Sequence, residues 1–194
     1  LKTRDIALYG ILMAIIVLMN FTPLGYLKIG TVEITFLMIP VAVGAIMLGP
    51  VGGAVLGGVF GLTSFFQCFG MSPFGVALFS INPIAMAFTC IVTRILMGFL
   101  SGLIFKGLKK VVKKGIAPFL VSTVSAAVLN TLFFVSSVLI FFGNSDYIKS
   151  FGNGLVEIIG VFITVNAVIE IIVCTIVGSA ISKTLSVIFE KRRV

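Results

Sequence analysis

IPVAVGAIMLGPVGGAVLGGVFG, residues 39–61, decides the fold. These 23 residues contain no charge and no strong hydrogen-bonding side chain. Proline cannot continue a helical hydrogen-bond ladder, so Gly49-Pro50 reads as a tight turn between two apolar runs. After the turn, glycine recurs at 53, 57 and 61, every fourth position, which on a helix is one smooth face. Such a face lets another helix approach closely in lipid. Internal packing is the expected use of Gly53, Gly57 and Gly61, and Gly98 and Gly102 repeat the device further on.

Working outward, six apolar segments are expected, at about residues 5–21, 35–48, 51–69, 82–105, 118–142 and 155–187. A spanning helix needs about 20 apolar residues. The second segment is short, so it is expected to be tilted, extended by residues 31–34, or broken. The sixth is long enough to project beyond the bilayer. Residues 70–81 read as a loop. The first segment carries no small-residue cleavage pattern and is expected to remain as a helix. Composition agrees with lipid as the solvent. The 194-residue chain is 59% hydrophobic, only 10% charged, and has a mean hydropathy of +1.27, whereas a soluble domain carries roughly a quarter charged residues.

The net charge of +8 is explained by topology rather than nucleic acid. Odd-numbered loops hold only Lys28 and Lys149. The termini and even-numbered loops hold Lys2, Arg4, Lys106, Lys109, Lys110, Lys113, Lys114, Lys183, Lys191, Arg192 and Arg193. The positive-inside rule then puts both termini in the cytoplasm, as an even number of spans requires. The expected fold is all-α: one integral membrane bundle over residues 1–194, with six transmembrane helices, short loops and cytoplasmic termini.

One arginine breaks this pattern. Arg94 lies twelve residues after Asn82 and twelve before Lys106, about 18 Å from either end of its helix. A charge at such depth costs at least about 2.5 kcal/mol and asks for a reason. Asn130 and Asn166 fall at similar depth in the fifth and sixth segments, and Glu170 follows Asn166 by one helical turn. Two readings compete. In one, Arg94 pairs with Glu170 and the asparagines bridge helices. In the other, the group lines a polar cavity for a small anionic solute. Asn20, Gln67, Ser80 and Asn82 sit at the outer ends, as the mouth of that cavity or as helix caps. On the first helix, Ala7, Gly10 and Ala14 form a small-residue face suited to docking another subunit.

No nucleotide-binding loop, zinc motif or nucleophile elbow occurs, and the chain has no histidine. Neither a metal site nor a cofactor is expected. Cys68, Cys90 and Cys174 are isolated and read as buried thiols.

These features resemble the S component, the substrate-binding subunit, of energy-coupling factor (ECF) vitamin importers. Residues 39–61, with a proline in helix two, Leu48-Gly49-Pro50 at the turn and a glycine-rich helix three, are similar to the pantothenate- and riboflavin-type branch. So is the run from Thr93 and Arg94 to Gly98 in helix four. The resemblance implies a cell-membrane protein that binds a water-soluble vitamin with high affinity. It also implies partners, namely a transmembrane coupling protein and two ATPases, which dock on helix one. Gly10 and Ala14 match the family's small-residue docking positions, with glycine for the first alanine. The family's ligand site lies between helices four to six, where Arg94, Asn130 and Asn166 fall. A buried arginine with amide partners suits a carboxylate that also carries hydroxyl and amide groups, so pantothenate is the first expectation. Riboflavin is next, since the chain has 19 phenylalanines. From other classes stand a small intramembrane lipid-modifying enzyme and a ligand-free assembly subunit.

Overall fold

The computed structural model describes residues 3–22, 25–29, 32–112, 115–152, 157, 160 and 165–191. It is a helical bundle whose outer faces are apolar, with Leu18, Val51, Ile84 and Ile140 turned outward. That is the arrangement lipid requires. Helix α1 (Thr3–Asn20) buries only Leu12, Ile16 and Asn20, a stripe at every fourth residue. Leu8, Tyr9, Met13 and Met19 flank the stripe, half-buried against the core, while Ala7, Gly10, Ala14 and Leu18 are exposed.

The first loop contains an element that the sequence reading did not anticipate. Strands β1 (Tyr26–Ile29) and β2 (Val32–Thr35) form an antiparallel hairpin, with Tyr26 opposite Thr35 and Ile29 opposite Val32. Residues 32–34 therefore do not extend the second segment. Short β-branched runs flanking Gly30-Thr31 were the available signal.

Helix α2 (Met38–Gln67) carries one non-helical residue, Gly49, at φ 82° and ψ −174°. Glycine adopts this φ without the clash a Cβ would bring. The two limbs, residues 38–48 and 50–67, fold back on each other there. In a straight helix residues 44 and 56 would stand about 18 Å apart. Instead, a Cβ on Gly44 would lie 2.0 Å from Leu56 Cδ1, and one on Gly53 would lie 2.7 Å from Ala45 Cβ. The turn expected at Gly49-Pro50 is the turn found.

Residues 70–81, expected as a loop, contain the short helix α3 (Pro73–Ile81). Ser72 Oγ caps it by accepting from the Gly75 amide at 3.2 Å, and Pro73 takes the first helical position. Helix α4 (Pro83–Val111) begins in the same way. Helices α5 (Ala117–Phe142) and α6 (Asp146–Lys149) follow. Helix α7 (Val165–Val173), a π-helical turn (Cys174–Gly178) and helix α8 (Ser179–Lys191) complete the chain. The beginning of the expected sixth segment falls outside the described residues. Among the described residues, five helices are long and apolar enough to cross a membrane: 3–20, 38–67, 83–111, 117–142 and 167–188.

The second limb of α2 packs on α4 backbone to backbone. A Cβ on Gly53 would meet Gly98 O at 2.2 Å, one on Gly57 would meet Arg94 O at 2.2 Å, and one on Gly61 would meet Cys90 O at 2.7 Å. The register is antiparallel and advances one helical turn per contact. The glycine face thus does what its spacing implies, and it clamps α4 at Arg94.

Candidate ligand-binding site

Arg94 is buried on α4, and its Nη1 is engaged by its own helix. Nη1 donates to the Thr89 carbonyl at 3.2 Å and to Thr93 Oγ1 at 2.9 Å. Thr93 Oγ1 in turn donates to the Thr89 carbonyl at 2.5 Å. The cation lies 5.3 Å from the Phe60 ring centroid and 4.8 Å from that of Phe134, within reach of both rings. Nε and Nη2 form the side-on edge of the guanidinium. Nε is buried without a partner. A buried donor left unsatisfied costs about 1–3 kcal/mol. This edge is the one that grips a carboxylate with two parallel hydrogen bonds.

Other unmet groups lie on the same helices. Thr89 Oγ1 on α4 and Asn130 Oδ1 on α5 are buried without partners. Asn130 precedes Phe134 by one turn, so both occupy the same α5 face. Glu170, buried on α7, interacts electrostatically with Arg94 but forms no ion pair with it. Its Oε1 instead accepts the main-chain amide of Thr35 at 2.8 Å, tying the hairpin to α7. The direct Arg94–Glu170 ion pair expected on one reading is absent, and the carboxylate is held by the first loop instead. Asn166 belongs to α7, and its side chain is outside the described residues.

The outer polar residues divide. Gln67 Nε2 donates to the Asn20 carbonyl and to Asn20 Oδ1, both at 3.1 Å, and joins the ends of α1 and α2. Asn20 Nδ2 is buried without a partner. Asn82 Oδ1 accepts the Ala85 amide at 3.1 Å as the α4 cap, and Ser80 Oγ donates to the Ala77 carbonyl at 2.7 Å. Neither joins the Arg94 group. Sequence reasoning missed Thr89, Thr93, Phe60 and Phe134. Two threonines one turn apart, ending beside an intramembrane arginine, were a readable signal for the first two.

On α1, Ala7, Gly10 and Ala14 are all exposed, and nothing lies within 4 Å of where a Gly10 Cβ would stand. The three cysteines are buried thiols, and no group of three or more metal-ligating side chains occurs among the described residues.

The sequence matches the family model described as "ECF transporter, substrate-specific component" over residues 4–182. The chain belongs to that family. It is 28% identical to the pantothenic acid transporter PanT of Lactococcus lactis subsp. cremoris over 197 residues, which cover 95% of each chain. A pantothenate transporter PanT of Leuconostoc mesenteroides is 35% identical over 109 residues, covering 54% of this chain and 52% of that protein. As an ECF substrate-specific component, the chain is the vitamin-recognising subunit of an importer and not an enzyme. It is a multi-pass protein of the cell membrane and works with other subunits of an ECF module.

Proposed function

We propose that this substrate-specific component binds pantothenate, with the vitamin's carboxylate on the Nε–Nη2 edge of Arg94. The unpaired buried Nε carries the proposal. An arginine at this depth, held by its own helix through Nη1, with two rings beside it and Nε unpaired, is preorganised for a planar anion. The hydroxyl and amide groups of pantothenate match Asn130, whose Oδ1 lacks a partner, and Asn166 one turn from Glu170. The names of both relatives agree with this choice, and neither supports riboflavin.

The bundle makes six passes, with both termini cytoplasmic, as one domain. The reversal of α2 at Gly49 supports counting its limbs as two passes, and the distribution of lysine and arginine supports the orientation. Ala7, Gly10 and Ala14 form the face that meets a transmembrane coupling protein, which brings two ATPases. Their shared exposure supports this role.

Mass spectrometry of small molecules released from gently purified protein tests the assignment. Pantothenate near one equivalent per chain is the expected result. A flavin, or a different vitamin at that stoichiometry, would overturn the substrate.

A further inference from the structure

Phe134, whose ring lies 4.8 Å from the Arg94 cation, is also the inner end of a column of rings that leads to the outer loops. Its centroid lies 6.3 Å from that of Phe74. Phe74 stands 6.0 Å from Tyr147 and 6.3 Å from Phe151, and Tyr147 and Phe151 are 5.4 Å apart. All four spacings fall within the range of favourable aromatic contact. The rings come from separate elements: Phe134 from α5, Phe74 from the first turn of α3, Tyr147 from α6, and Phe151 from just beyond it. Helix α3 buries Gly75 and Leu78 and sets Phe79 against Phe65 of α2 and Phe69 just beyond it, so its other ring, Phe74, is the one that faces α5 and α6. Phe74 is the one ring in contact with all three others.

We propose that Phe74 is the positioning residue that keeps α3 and α6 closed over a ligand seated on Arg94, and so governs how long the ligand stays. This rests on the binding reading above. A solute on the open edge of Arg94 lies beside Phe134, and the path outward from Phe134 is lined by Phe74 and Tyr147. Removing the Phe74 ring takes away the aromatic link from α3 to α5 and α6 without touching Arg94, while Leu78 keeps α3 seated. Escape then becomes faster while the ligand's own contacts persist.

The experiment uses full-length protein in lipid nanodiscs loaded with radiolabelled pantothenate. Phe74→Ala should release it about tenfold faster, with association changed much less, because interface changes act mostly on dissociation. Phe74→Tyr, which keeps the ring, should restore slow release. Release at the wild-type rate from Phe74→Ala, or a loss confined to association, overturns the proposal. If Phe74→Ala does not fold, Phe74→Leu replaces it with the same expectation.

A second readout does not depend on the vitamin. The chain has no tryptophan, so Phe74→Trp supplies a single fluorophore in the column. Its indole should resist acrylamide quenching and become accessible when Phe134→Ala and Tyr147→Ala are added. An indole quenched like a free one in the single variant overturns the column. If wild-type protein binds no pantothenate while the indole is shielded, the substrate assignment has failed and the column stands.

Discussion

Gly57 lies directly against the main chain of Arg94. A Cβ on Gly57 would sit 2.2 Å from the arginine's carbonyl oxygen and 2.8 Å from its carbonyl carbon. The obstacle is backbone, which cannot rotate aside as a side chain can. The glycine face on α2 therefore also sets the position of the arginine on α4, so packing and the proposed vitamin site share one contact.

Gly57→Ala should consequently lower stability by about 1–3 kcal/mol, the usual range for overpacking, and also weaken pantothenate binding. Gly10→Ala adds the same methyl where nothing lies within 4 Å and should leave both unchanged. Thermal unfolding in detergent, followed with and without the vitamin, checks the pair. Equal behaviour of the two variants would sever the link between packing and site.

Arg94→Lys keeps the charge but loses the fork. Loss of one partner from a buried charged contact typically costs about 2–5 kcal/mol. Isothermal titration should therefore show pantothenate affinity falling by more than tenfold in Arg94→Lys and further in Arg94→Ala. Wild-type affinity in Arg94→Ala would remove the arginine from the site.

Glu170→Gln retains an oxygen able to accept the Thr35 amide, and Glu170→Leu does not. Hydrogen exchange at Thr35 should stay slow in the first variant and become faster in the second. The Thr35 amide exchanging at the wild-type rate in Glu170→Leu would show that the hairpin is held by something else.

Bulk on the open face of α1 should leave vitamin binding intact and block assembly. Gly10→Leu with Ala14→Leu, co-expressed with the coupling protein and ATPases, is expected to bind pantothenate normally yet fail to co-purify with them. Normal co-purification would move the docking face elsewhere.

The helical body was readable from the chain because lipid imposes long apolar runs and because Gly49 and Pro50 mark a turn that few other residues allow. Arg94 was readable for the opposite reason, as a charge where charge is expensive. The hairpin at 26–35 was not recognised, since four-residue strands give a weak periodic signal beside apolar helices. The part played by Glu170 was hidden too. Its helix and depth follow from spacing, but its partner comes from a loop 135 residues away. Phe60 and Phe134 could not be singled out among 19 phenylalanines. Only the folding of α2 and α5 around one guanidinium distinguishes them.

The tie between Thr35 and Glu170 has one asymmetric consequence. Its donor is a main-chain amide, which every residue except proline possesses. The tether itself therefore survives a change of side chain at position 35, where burial and the hydroxyl's bond from the Leu37 amide are the separate constraints. Glu170 has no such latitude, because only a side chain of its reach that ends in an acceptor can do its work. Sequence drift is thus permitted at one end of the contact and confined at the other.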